Sequence, residues 1–140
     1  SARLTDFLEE LCERLKADTA SVDVRFKYFL DKAAPVTGQS APMAYECAFR
    51  ARIDHGAVTP VLSVTVPMAT LCPCSKAISD FGAHNQRALT TLDLRLDASD
   101  DAHSMLWIED LVALVDEAAS CPVFPLLKRE DEKWVTERQY

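Results

Sequence analysis

A chain of 140 residues can bury one sizeable core, and 49% hydrophobic with 26% charged residues is the balance of an ordinary globular protein. The formal net charge of −7 argues against a general nucleic-acid binder, because neutralising phosphates needs a basic surface, so any anionic substrate needs a local basic pocket. No apolar run approaches the roughly 20 residues that span a bilayer, no basic stretch followed by an apolar one opens the chain, and five irregularly spaced cysteines suit a reducing compartment, so the expectation is a cytoplasmic protein with no membrane or nucleic-acid partner.

Residues 4–17 place Leu4, Phe7, Leu8, Leu11, Cys12 and Leu15 at helical spacing, with Glu9, Glu10, Glu13, Arg14 and Lys16 between them, which predicts an amphipathic helix with Cys12 as a buried apolar residue. From Val22 the period becomes two: Val22, Val24, Phe26, Tyr28 and Leu30 alternate with Asp23, Arg25, Lys27 and Phe29, as in a strand with one face on a core. Residues 33–42 have loop composition. Tyr45, Cys47, Phe49, Ala51 and Ile53 then define a second strand, with Cys47 in the core. Asp54, His55 and Gly56 form a tight turn, with His55 exposed, into a third strand over about residues 58–66. Pro60 and Pro67 cannot donate ladder hydrogen bonds, which predicts an edge strand, a bulge, or an end near Pro67.

The densest chemistry follows, in LCPCSKAISDFGAHNQR, residues 71–87. Thiolate and imidazole are favoured ligands of zinc and similar divalent metals, and Cys72, Cys74 and His84 supply both. A single residue between the cysteines makes it hard for both to bind one metal, so spacing alone also allows a buried thiol pair beside a hydrogen-bonded histidine. Gly82 permits a sharp turn or close backbone approach, and the stretch suits a functional loop better than a strand or helix.

Thr90, Leu92, Leu94 and Leu96 alternate with Thr91, Asp93, Arg95 and Asp97 in a fourth strand. After the acidic turn ASDDAHS, with His103 at the surface, a helix is predicted over 105–119, with Ser104 as N-cap and Ile108, Leu111, Val112 and Val115 buried. The sum is an α+β chain whose four strands can run as an antiparallel meander between two helices.

Leu71, Cys72, Pro73, Cys74, Ser75, Lys76, Ile78, Ser79, Gly82, Ala83, His84, Asn85, Gln86 and Arg87 together resemble the signature of GTP cyclohydrolase I type B, the metal-versatile branch of the first enzyme of folate biosynthesis. Residues 120–140, SCPVFPLLKREDEKWVTERQY, are similar to a second block of that family; Ala77 and Phe81 stand where its members commonly carry an acid and a tyrosine. The resemblance implies a tunnelling fold (T-fold), an antiparallel sheet with helices on one face. The chain then looks incomplete, with the end of one module (about 1–56) joined to the start of a second (about 57–140).

The resemblance further implies one divalent metal per active site (Mn, Fe, Zn or Co), held by Cys72, His84 and Glu117, with Cys74 the alternative cysteine. By its helical position alone, Glu117 reads as a solvated surface acid. Glu132 corresponds to the glutamate that holds guanine, accepting from ring N–H and exocyclic amine together; without the resemblance it is one more charge in a solvated run with Glu130 and Asp131. Lys76, Arg87, Lys128, Arg129, Lys133 and Arg138 are candidate counter-charges for a triphosphate, and the proton carrier is expected to be Cys74, a bound water or a residue of the C-terminal part that family members carry beyond this stretch. The implied reaction converts GTP to formate and 7,8-dihydroneopterin triphosphate, for folate or for a modified tRNA base, in a homo-oligomer, a tetramer, with sites between subunits. Two alternatives stay open: a catalytically silent, metal-stabilised assembly module, or another tunnelling-fold purine or pterin enzyme, such as a nitrile reductase with a cysteine nucleophile.

Overall fold

A computed structural model describes residues 2–80, 82–96 and 106–138. Helix α1, Ala2–Leu15, is followed by three long strands, β1 (Thr19–Ala33), β2 (Ser40–Asp54) and β3 (Ala57–Leu71). Short helix α2 (Pro73–Ile78) leads to β4 (Asn85–Arg95), helix α3 (Ile108–Ala118), β5 (Cys121–Pro122) and helix α4 (Arg129–Arg138). The sheet is the expected antiparallel meander, in the order β1-β2-β3-β4, with β5 added against β3.

Alternation decides which face is dry. Phe26 lies opposite Cys47 and Cys47 opposite Val64, and Val64 opposite Leu92, so one row of apolar side chains crosses four strands. Ile108, Leu111, Val112 and Val115 of α3 pack on this face with Tyr45, Leu62, Val64 and Val66. Each fully buried Val or Leu there contributes about 1.5–3 kcal/mol. Helix α1 closes the other end of the face through Leu8, packed with Ala51 and Ile53, and Cys12 lies half-buried at its margin. Phe7 and Leu15, expected on the buried stripe, are 49% and 67% exposed, because only the Leu4, Leu8 and Cys12 line meets the sheet. The helix ends two residues earlier than expected, where Lys16 turns left-handed (φ 49°) and the Ala17 N–H reaches back to the Cys12 carbonyl at 3.0 Å.

Strand β3 is neither an edge nor short, contrary to the expectation from its prolines. It runs between β2 and β4 to Leu71, and both prolines sit where a missing N–H is tolerated. Pro67 falls between the last β2 pair, Glu46 with Thr65, and the first β5 pair, Met68 with Pro122. Pro60 lies beyond the last β4 pair and uses its carbonyl, accepting the Leu96 N–H at 3.0 Å. The loop expected over 33–42 shrinks to residues 34–39, since the start of β2 needs only β1 as a partner.

The β2–β3 connection is a two-residue turn, His55 at φ 46° and Gly56 at φ 83°, with Asp54 paired to Ala57. Two positive φ values are the type I′ turn that matches strand twist. His55 is exposed there, as expected, at the end of β3 opposite Cys72. A Cβ on Gly56 would touch nothing, so Gly56→Ala should cost about 1 kcal/mol from backbone strain alone, read as a lower urea midpoint with unchanged slope.

The opposite sheet face is polar. Arg50 donates to Asp93 at 2.7 Å and to Ser63, and Ser63 in turn donates to Asp93, which accounts for a serine only 7% exposed. A cavity of about 780 Å³ lies on this face beside Arg50, Arg52 and Arg95 and contains none of the candidate site residues.

Helix α3 starts at Ile108 rather than 105, and Asp110 accepts the Trp107 N–H at 2.8 Å as its cap. Ser104, His103 and Asp97 lie outside the described residues. Among the described residues no helix is long and apolar enough to cross a membrane.

Candidate active site

Leu71, the last residue of β3, pairs with Asn85, the first of β4, so the connection between them is pinched at its root. There the Cys72 N–H donates to the His84 carbonyl at 3.3 Å. Ser75 staples the same point from within: its hydroxyl donates to the Cys72 carbonyl and accepts the His84 N–H, both at 3.0 Å. Two potential ligands twelve residues apart in sequence are thereby set side by side.

The stretch is not wholly a loop. Pro73 opens helix α2 with its fixed φ and absent N–H, Cys72 is the N-cap, and the Lys76 N–H closes the first turn on the Cys72 carbonyl at 3.2 Å. Gly82 adopts φ 138°, a backbone that side-chain-bearing residues rarely take, and Asn85, Gln86 and Arg87 already belong to β4.

The helix start acts on the thiol. The Ser75 amide, with a smaller contribution from the Cys74 amide, favours the charged form of the Cys72 thiol and draws its pKa below the ordinary thiol value, against the opposing effect of burial. Cys72 is half-buried and Cys74 exposed.

The other candidate residues are placed less closely. Glu117 is exposed in the last turn of α3, on the side turned from Val115, and Glu132 is exposed in the first turn of α4. Among the described residues, no three His, Cys, Asp or Glu side chains stand together to hold a metal ion. Lys76, Arg87, Lys128 and Arg129 are exposed, Lys76 on α2 and the last two at the start of α4.

A cavity of about 350 Å³ joins the two informative sequence blocks. Asn85, Gln86 and Arg87 line one side, and Pro122, Val123, Phe124, Leu127 and Val135 the other. It is smaller than the cavity on the polar face, yet unlike that cavity it adjoins the cysteine–histidine root through Asn85, and it carries an arginine in an otherwise mostly apolar wall. Mostly apolar walls with a few placed polar groups are the usual makeup of a small-molecule site.

Three residues important to this architecture escape sequence reasoning. Ser75 staples the root. Asp131, which reads as part of a solvated acidic run, is completely buried and accepts the Val36 N–H, Thr37 N–H and Lys128 N–H at 2.9 Å each, and the Thr37 hydroxyl at 2.7 Å. Asp116 pairs with Lys32 at 2.6 Å, both side chains under 20% exposed. Burial and then the Asp116 charge push the Tyr45 hydroxyl up to about 12, so Tyr45 is a neutral wall of the core. The signal for Asp131 in the sequence is its place three residues after Lys128, where an acid can return to the N-cap amide of a helix, here one with almost no apolar periodicity to reveal it.

Known proteins give the same direction. The family model described as "Type I GTP cyclohydrolase folE2" matches residues 1–140. The "GTP cyclohydrolase FolE2" of Thiobacillus denitrificans is 46% identical over 133 residues, covering 95% of this chain and 47% of that protein. The proteins of the same name from Aromatoleum aromaticum and Methylococcus capsulatus are 46% identical over 134 residues and 47% over 133. The chain thus spans about half the length of the curated relatives it matches. With its full length matched by the model and its fold that of an α+β antiparallel sheet with helices on one face, the chain belongs to the type I GTP cyclohydrolase folE2 family.

Proposed function

We propose that the whole protein is a cytoplasmic, metal-dependent GTP cyclohydrolase I that converts GTP to formate and 7,8-dihydroneopterin triphosphate. The observation that carries this reading is the stapled root, where one backbone hydrogen bond and the Ser75 hydroxyl join Cys72 to His84. A cysteine and a histidine on adjoining backbone are a donor pair that suits a divalent metal. In this reading Cys72 and His84 hold it and Glu117, exposed on α3, completes the set across an interface between copies of the chain. The chemistry such a metal supplies when bound is Lewis acidity that brings the ionisation of water toward neutral pH.

This chain's residues do the rest. Glu132 accepts from the guanine ring N–H and exocyclic amine, which fixes the base in orientation. Arg87, in the cavity wall, with Lys128 and Arg129 at the start of α4 and Lys76 on α2, offsets the triphosphate charge despite the net −7 of the chain. The apolar wall of Val123, Phe124, Leu127 and Val135 limits water around the purine. Cys74, exposed and two residues from Cys72 in the first turn of α2, is the proton carrier for the departing nitrogen.

The test of the substrate half is Glu132→Ala in the full-length protein. Its exposure predicts an intact fold and full metal content, with GTP affinity down by roughly ten- to a hundredfold, the worth of a charged bidentate contact. Isothermal titration with GTP reads it directly; unchanged affinity removes Glu132 from the site.

A further inference from the structure

Glu117 and Glu132, the two carboxylates proposed above for metal and guanine, are each immediately preceded by an aspartate that faces inward, and both aspartates are held by one short segment of the fold. Lys32, near the end of β1, donates to Asp116 at 2.6 Å. Val36 and Thr37, in the turn that follows, hold Asp131 through two amides and a hydroxyl. The turn itself is closed by the Ala34 N–H to the Gln39 carbonyl at 2.9 Å and the Gly38 N–H to the Ala34 carbonyl at 3.1 Å. Lys32 also lies over the Phe124 ring, 5.2 Å from its centroid, and Phe124 is a wall of the cavity beside Arg87. Residues more than eighty apart in sequence therefore converge on the tip of one hairpin.

We infer that the tip of the β1–β2 hairpin, residues 32–37, is a positioning clamp for the active site: by holding Asp116 and Asp131 it sets where Glu117 and Glu132 are presented. The inference rests on the functional reading given above. Its physics is helical geometry. Successive helix residues point about 100° apart, so an aspartate fixed inward dictates the direction of the glutamate that follows it. The last turn of α3 and the first turn of α4 are helix ends, which fray most easily unless tied down. Asp116 has no second support among the described residues, since its other oxygen is buried without a partner, so Lys32 alone compensates it. Lys32, Thr37, Asp116 and Asp131 are thus positioning residues that touch neither substrate nor metal themselves.

The test uses the full-length protein with Thr37→Val, which keeps shape and both amide bonds but loses the hydroxyl to Asp131, and Thr37→Ser, which restores it. Lys32→Met and Lys32→Arg form the matching pair for Asp116. Two readouts are taken: hydrogen exchange of peptides covering residues 106–118 and 128–137, and binding of GTP and of Mn²⁺. The expected result is faster exchange at 128–137 with GTP affinity lowered about tenfold in Thr37→Val, metal content unchanged, and recovery in Thr37→Ser. Lys32→Met should instead speed exchange at 106–118 and weaken Mn²⁺ retention about tenfold, as loss of a supporting group behind a ligand does. Unchanged exchange in both variants overturns the clamp. Faster exchange with GTP and Mn²⁺ binding at wild-type levels, while Glu132→Ala loses GTP, also overturns it, because the tip is then only a stabilising contact. Wild-type GTP affinity in Glu132→Ala overturns the assignment of Glu132 instead, and the clamp is then decided by exchange and Mn²⁺ retention.

Discussion

Cys72→Ala should lose bound metal and turnover together, both falling to background in the full-length protein, and His84→Ala should do the same. The two residues share one backbone hydrogen bond and one serine staple, and neither is part of the apolar core, so the fold has little reason to fail with them. Cys72→Ser sharpens the experiment. A hydroxyl keeps the size and N-cap role of the residue but is not a thiolate near neutral pH, so the serine variant should fold normally and still lose the metal. Cys74→Ala should retain the metal and lose rate, which separates a ligand from a proton carrier. Metal analysis alongside formate release reads all four variants. Full metal content in Cys72→Ala with loss in Cys74→Ala would exchange the roles of the two cysteines.

The second large effect is on stability. Asp131→Ala leaves three amide N–H groups and one hydroxyl without their acceptor in a place that water does not reach, and it disconnects α4 from the β1–β2 hairpin. It should be far more destabilising than substitution of its exposed neighbours Glu130 or Glu132. The pH dependence carries a sign. Burial by itself would raise the Asp131 pKa, but the hydrogen bonds from the Thr37 amide, the Lys128 amide, the Thr37 hydroxyl and the Val36 amide outweigh it and hold the carboxyl well below the usual carboxylate range. A group whose folded-state pKa is depressed stabilises fully above its unfolded value and loses that contribution as the pH falls below it. The stabilisation is therefore complete above about pH 4–5 and declines at lower pH. Urea unfolding of wild type and Asp131→Ala should show a wide gap in midpoint at pH 7 that narrows as the pH falls below about 4. A gap that stays constant would mean that the carboxylate charge is not what holds the clamp.

How far the sequence reaches depends on whether a residue's role is local. Strand alternation from Val22 to Leu30 and Tyr45 to Ile53, and the His55-Gly56 turn, are local, and the meander follows from them. The position of β3 is not. Pro60 and Pro67 look like edge signals until the pairing of β3 with its neighbours is known to stop beside them, and that depends on the register of β2, β4 and β5. Helix α2 is hidden because six residues are too few for a period, and α4 because KREDEKWVTER has almost no apolar stripe. At the site, the residue types of Cys72 and His84 and their resemblance to a family signature are legible, whereas the hydrogen bonds that join them are tertiary. Asp131 looks solvated in the sequence for the same reason: its partners Val36 and Thr37 lie over ninety residues away. Glu117 illustrates the converse, since its exposure in one chain agrees with its helical position, and its proposed role needs a second copy.

The measurement that bears most directly on the proposed activity is an anaerobic assay of the metal-stripped, full-length protein with GTP. Mn²⁺, Zn²⁺ and Fe²⁺ are added separately, and formate and the pterin product are followed together. Metal-dependent release of both in equal amounts is the predicted result, and the order of rates ranks the metals. Correctly assembled protein that binds metal at Cys72 and His84 yet releases neither formate nor pterin under any of the three would contradict it.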